Sequence, residues 1–277
     1  MFASLVATFA ATFAAALTAP QVNAALPRIA ALPRPGDRVA AASELFLGAP
    51  YTLGPLGEGA PPSPGPLIRF DTFDCVTIVE TSLALANAPT SAAVLSVMSD
   101  IRYKSGTPRF GDRNHYTEAQ WIPSNVKKGY LKPLFLPGMT PARRVFDHGT
   151  WERGGKNLGG IPLSEADYPN GTFAVAMVPL DESKAAFERV PSGTVVLIVR
   201  RDDPDKVTRV SHLAIAVERD GRRYVRNASS KYQKVVDETV DEFIARNRSM
   251  KSWPVEGFAF YAPQDARART RQLARVE

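Results

Sequence analysis

One cysteine and three histidines are all that this chain of 277 residues offers a disulfide or a soft-metal site. A single thiol closes no internal disulfide, and the count excludes zinc sites built from several cysteines. With the histidines scattered, no metal cluster is visible and no cofactor is expected. Long apolar runs are also scarce. Only the first residues are continuously apolar, and no other segment nears the ~20 residues a membrane span needs, so no transmembrane span is expected. No internal repeat is present, and no basic stripe interleaved with aromatics points to nucleic acid. What is there is a positive balance: 34 Lys and Arg against 28 Asp and Glu, a formal charge of +6. That balance suits an anionic polymer such as a bacterial cell wall, or an anionic membrane surface.

The N-terminal run, Met1-Phe-Ala-Ser-Leu-Val-Ala-Thr-Phe-Ala-Ala-Thr-Phe-Ala-Ala-Ala-Leu17, is rich in alanine and uncharged. Val22-Asn23-Ala24 then fits a small-x-small cleavage pattern, so residues 1–24 read as a secretory signal peptide. No Lys or Arg precedes the run, which departs from the usual pattern. No cysteine follows it, which excludes a lipid-anchored leader. The expected product is a periplasmic, monomeric single domain of residues 25–277. An exported chain with one thiol carries either a reactive nucleophile or an intermolecular link.

That thiol, Cys75, sits in Asp71-Thr-Phe-Asp-Cys-Val-Thr-Ile-Val-Glu-Thr-Ser-Leu-Ala-Leu-Ala86. Ile78, Val79, Leu83 and Ala86 recur at helical spacing, with Thr72 or Asp74 as the cap and Pro89 as the stop. Cys75 therefore starts a buried helix, where unpaired N–H groups and the helix dipole favour the thiolate. A small buried hydrophobe is the alternative for any free cysteine. A second helix is expected over about 91–102. Residues 104–170 show little periodicity and read as an irregular accessory lobe. The last third reads as antiparallel sheet: strands over 193–200, 210–217 and 222–228, a helix near 237–247, and a strand over 255–262. The basic tail beyond it reads as a solvated end.

Alternation along 210–217 puts His212, Ala214 and Ala216 on one face and Leu213, Ile215 and Val217 on the other. Two alanines leave room for something close, such as the packed Cys75 helix. Asp220-Gly221 signals a hairpin. A four-residue loop would set His212 opposite Asn227. A two-residue turn would set it opposite Ser229, with Asn227 diagonal. Either register lets the Asn227 amide oxygen accept an imidazole N–H, fix the tautomer, and leave the other ring nitrogen for a thiol. The competing reading is a core histidine satisfied by an amide.

These residues resemble the NlpC superfamily of papain-like cysteine hydrolases, and in particular its N-acetylmuramoyl-L-alanine amidase-like branch. The resemblance is carried by Phe73-Asp-Cys-Val-Thr-Ile-Val-Glu80, Ser211-His-Leu-Ala-Ile215, Asn227-Ala-Ser-Ser230, Gly48-Ala-Pro-Tyr51 and Pro191-Ser-Gly193. Arg113-x-His115, Trp121 and Asn125 add to it. It implies an α+β fold: a papain-like antiparallel sheet, with the nucleophile helix on its small-residue face and the lobe beside it. It implies Cys75 as nucleophile, His212 as acid and base, and Asn227 where the branch has a histidine. Val76 stands where the superfamily has Ser or Thr to hold a free amine, so an endopeptidase of the stem peptide loses support against an amidase acting on peptidoglycan. A non-catalytic cell-wall-binding protein remains a further alternative. Tyr51, Asp74, Arg113, His115 and Trp121 form the expected substrate-binding set, mostly from irregular segments. Arg113 suits a substrate carboxylate. Packing of the lobe by His115 and Trp121 is the equal alternative.

Overall fold

A computed structural model describes residues 17–150 and 163–273 of the chain. In chain order the helices are α1 (Ala19–Ala30), α2 (Pro35–Glu44), α3 (Cys75–Asn87), α4 (Val94–Arg102), α5 (Ile122–Lys127), α6 (Ser183–Arg189), α7 (Val240–Arg248) and α8 (Arg267–Leu273). The strands are β1 (Leu131–Pro133), β2 (Thr140–Phe146), β3 (Gly171–Pro179), β4 (Thr194–Arg200), β5 (Val210–Arg219), β6 (Arg222–Ser229), β7 (Lys234–Thr239) and β8 (Val255–Pro263). The strands form one eight-stranded antiparallel sheet in the order β2-β3-β8-β4-β5-β6-β7, with β1 added on β8.

Helices cover both faces of this sheet. On one, Ile78, Val79 and Leu83 of α3 join Leu213, Ile215 and Val217 of β5 in the larger core, which also takes in α1, α2 and α4. On the other, Phe187 of α6 and Phe243 of α7 pack with Phe258 and Phe260 over Ala214 and Ala216. The expected placement of the Cys75 helix on the alanine face is thus corrected. The small residues make room for aromatic rings, whose centroids lie 5.2–6.1 Å apart around Phe187. α3 takes the face of branched side chains. Because α3 is covered by α2, α4, β5 and β6, every residue from Thr77 to Asn87 is buried, which is why its sequence is apolar almost all round.

Two further expectations change. Residues 104–170 are less of a separate lobe than their aperiodicity suggests, since β1 and β2 extend the sheet and Trp121 lies in the larger core. Arg275 lies outside the described residues, and as far as residue 273 the basic tail is not a free end. It forms α8, where Thr270 is fully buried and Arg269 grips Asp100 through two bonds of 2.7 and 2.8 Å. Residues 1–16, most of the expected signal peptide, lie outside the described residues. The remainder of that segment enters α1, whose Val22 and Ile29 are fully buried. No helix among the described residues is long and apolar enough to cross a membrane.

Candidate active site

α3 starts where it does because Asp74 caps it. Its Oδ1 accepts the N–H groups of Val76 (3.0 Å) and Thr77 (2.8 Å), and the Thr77 hydroxyl accepts the Asp74 N–H at 2.9 Å. Thr72, the other candidate cap, bonds Pro50 O and the Thr52 hydroxyl instead. The second Asp74 oxygen accepts the Gly54 N–H at 3.0 Å, tying the loop after Tyr51 to the start of α3. Both oxygens of Asp74 thus accept backbone N–H groups, and the side chain is buried.

The surroundings of Cys75 follow from where β5 and β6 part. The Gly193 N–H donates to Ala216 O, so Ala216 turns its peptide groups toward β4. By alternation Leu213 turns its N–H toward β6. The β5–β6 pairing runs from Arg219↔Arg222 to Ile215↔Arg226 and stops there. Leu213 is left beyond the last pair, and its N–H lies against the Cys75 sulfur instead. α3 thus presents its first residue, Cys75, to a fork in the sheet, one residue along from His212.

The hairpin takes the two-residue register, Asp220 and Gly221 both adopting positive φ. Asn227 is diagonal to His212, as that register requires. The His212 Nε2 lies 3.1 Å from Asn227 Oδ1, and Asn227 is fully buried. The amide's orientation is fixed from its far side. Asn227 Nδ2 donates to Glu238 Oε2 at 3.0 Å, and Arg246 holds that carboxylate by two bonds of 2.7 Å each. A carboxylate paired with arginine only accepts, so the NH2 group of Asn227 must face Glu238 and its oxygen must face the imidazole. His212 then carries its proton on Nε2 and keeps the Nδ1 lone pair free. Glu238 and Arg246 were not foreseen. β7, which carries Glu238, is a strand that the helical reading of 237–247 obscured.

Removal from water shifts both the Cys75 thiol and the His212 imidazole toward their neutral forms. Desolvation, then the neighbouring Asp74 charge, pushes the Cys75 thiol up to about 12 against the N–H groups of Leu213, Cys75 and Val76. Desolvation pushes His212 down to about 4, with the Asn227 bond acting the other way. These directions run against the expected thiolate, while both side chains keep some contact with solvent. The helix start does favour the thiolate, but removal from water outweighs it.

The rest of the expected substrate-binding set divides. Tyr51 stays with the site. Its backbone bridges Phe73, and its hydroxyl pKa is raised by burial and by Cys75 and Asp74. Arg113 is held within the protein, where Glu58 accepts from its Nε and Nη2 at 2.5–2.7 Å. His115 packs the lobe, its ring against Phe110 and its Nε2 at 2.7 Å from Phe110 O. Trp121 is 1% exposed and donates to buried Glu80 at 3.0 Å. The packing alternative holds for both.

A family model described as AmiA-like, N-acetylmuramoyl-L-alanine amidase-like, matches residues 41–250. The chain belongs to this family. A solved structure from Legionella pneumophila is similar over 88% of this chain and 94% of its own, with 24% identity and a TM-score of 0.74. An N-acetylmuramoyl-L-alanine amidase from Bacteroides uniformis is similar over 83% and 99%, with 21% identity and a TM-score of 0.63. A structure from Bacteroides fragilis, described as a candidate xylanase, is similar over 79% and 98%, with 22% identity and a TM-score of 0.61. At such identities the likeness is one of fold. No curated protein sequence matches the chain.

Proposed function

We propose that this member of the amidase-like family is an exported cysteine amidohydrolase of the papain-like NlpC type, cutting peptidoglycan between the lactyl group and L-alanine. The observation that carries the reading is the chain His212–Asn227–Glu238–Arg246, buried at Asn227 and Glu238 and ending one strand residue from the only thiol. An inert core histidine needs one partner. Here three further groups converge to hold one tautomer.

In this mechanism the neutral imidazole takes the thiol proton on Nδ1 as sulfur attacks the amide carbonyl. The Cys75 N–H at the start of α3 donates to the developing oxyanion, whose charge the helix start favours. The imidazolium then protonates the leaving amine, and the restored imidazole activates water for thioester hydrolysis. Asn227 holds the ring through Nε2 throughout. The basic surface charge matches an anionic cell wall.

Mass spectrometry of muropeptides digested by the wild type and by Cys75→Ser tests the proposal. New lactyl and free L-alanine ends should form with the wild type only. Cleavage retained by Cys75→Ser refutes the nucleophile, and cuts confined to the stem peptide refute the bond. One observation favours a second reading, a non-catalytic wall-binding protein: the thiol is pushed toward its neutral form, and no hydrogen bond joins it to the imidazole among the described residues. That reading predicts wall binding with no product at all.

Export is part of the proposal. A cut after Ala24 would sever α1 and discard buried Val22, so the exported protein should begin upstream of Thr18, where the Thr18–Gln21 pair caps the helix. N-terminal sequencing of periplasmic protein checks this, and a start at Ala25 would overturn it.

A further inference from the structure

With Arg113 taken by Glu58, the site needs another source of positive charge if its substrate is anionic, and β4 supplies one. Arg200 ends that strand and is half-buried. Its Nε donates to the Ser211 hydroxyl at 2.7 Å, and Ser211 immediately precedes His212. One Nη1 hydrogen goes to Trp253 O at 2.6 Å, and the guanidinium lies 5.5 Å over the Trp253 ring. These contacts fix the plane of the group and use two of its five N–H donors.

Arg200 lacks a counter-ion. The acids nearest it in chain and sheet are committed elsewhere: Asp202 to Arg144, Glu256 to Arg209, and Glu238 to Arg246. No carboxylate among the described residues pairs with Arg200, and burial together with the charge of Arg246 lowers its pKa. A second cation, the Lys206 ammonium, stands 5.7 Å from the same indole, also without an acidic partner among the described residues. Half-buried arginines are normally paired, because desolvating an uncompensated charge is unfavourable. The charge of Arg200 is felt at His212, where it opposes protonation.

We infer that Arg200, held by Ser211 and stacked on Trp253, is a carboxylate-binding subsite beside His212 that selects substrates carrying a free carboxylate on the peptide. The inference rests on the amidase reading for its substrate, not for its chemistry. One Nη1 hydrogen and both Nη2 hydrogens are left to donate to a carboxylate. Lys206 adds attraction without adding geometry. Arg200 is a binding residue here and takes no part in proton transfer.

Calorimetry on the Cys75→Ser protein, which should hold substrate uncut, tests the subsite directly. The probes are one muropeptide with a free peptide carboxylate and the same compound with that carboxylate amidated. The free acid should bind about 10- to 100-fold tighter, the range for a charge-assisted hydrogen-bonded pair. Arg200→Ala should bring the two affinities together, and Arg200→Lys should restore only part of the gap. The amidated probe keeps the test informative with native Arg200 even where Arg200→Ala folds poorly. Equal binding of the two probes, or no binding of either, overturns the subsite. Carboxylate-dependent binding without hydrolysis by the wild type would overturn the amidase reading and leave the subsite standing.

Discussion

Replacing Arg113 by alanine should damage the fold and not the recognition of substrate. Arg113 looks like a carboxylate-binding residue by type, in an irregular segment. The geometry gives it another task. Its Nε and Nη2 meet Glu58 Oε1 at 2.7 and 2.5 Å, Nη2 meets Oε2 at 2.6 Å, and the same nitrogen reaches the Ser63 hydroxyl at 3.1 Å. Side-chain exposure is 18% for Arg113 and 4% for Glu58. The pair joins the Gly- and Pro-rich loop around 54–66 to the segment following α4, across 55 residues of chain.

Arg113→Ala leaves the Glu58 carboxylate buried with only the Tyr103 hydroxyl, at 2.9 Å, to satisfy it. Breaking one side of a buried pair costs about 3–5 kcal/mol. For a domain of this size each kcal/mol lowers Tm by about 2–4 °C, so a fall of roughly 6–20 °C is expected. Replacing both partners, as in Glu58→Leu with Arg113→Met, should recover most of that fall, because no unpaired charge then remains. Thermal unfolding of the three variants at neutral pH reads this out, alongside KM on a carboxylate-bearing muropeptide well below the lowest Tm. An unchanged Tm with a raised KM would refute the reasoning and return Arg113 to the substrate site.

The thiol should alkylate slowly. With Cys75 pushed up to about 12, iodoacetamide should react with the folded protein at pH 7.5 well below the rate for a free cysteine, and faster as pH rises; rapid labelling at neutral pH would show that the thiolate is already formed. Stability should fall in mild acid, because His115 and His212 are both lowered from 6.5 to about 4. The unfolded chain takes up these protons first, so their contribution is complete above pH 6.5 and is lost as pH falls toward 4. A Tm that stays flat over that window would count against burial of neutral rings. Glu238→Gln should lower kcat/KM about tenfold, since a neutral amide no longer dictates which way Asn227 faces; Asn227→Ala should also leave residual activity, and equality of both variants with the wild type at every pH would reduce the site to Cys75 and His212.

Local chemistry made part of this legible in the sequence, and distant pairing hid the rest. Asp220-Gly221 signals its turn, and the alternation of β5 carries His212 to the Asn227 face whichever register is chosen. The cap at Asp74 is likewise a matter of three residues. The burial face of α3 was not legible, because Ala214 and Ala216 say only that something lies close. Whether that is a helix backbone or the rings of Phe187 and Phe243 depends on segments about 27 residues upstream and downstream of them. The role of Arg113 depends on Glu58, in a loop whose composition predicts no partner. The deviation of the thiol from its expected state has the same origin. A helix start is written locally, whereas desolvation is the summed effect of every element packed around it.

The fork is where these two kinds of information meet. β6 stays paired with β5 only as far as Arg226. That residue, 2% exposed, bonds Asp237 on β7 at 2.7 and 2.8 Å, and reaches Ala40 O and the Ser43 hydroxyl of α2 at 3.0 Å each. It ties the last paired position of β6 to β7 and to the helix packed against α3. The next residue, Asn227, faces the opposite side of the sheet, toward Glu238. Strand alternation thus gives neighbouring residues two tasks. Arg226 anchors β6 at the point where the strands part, and Asn227 aims the imidazole beside the opening. One charged anchor therefore accounts for both the gap that admits the start of α3 and the position of the amide that orients His212.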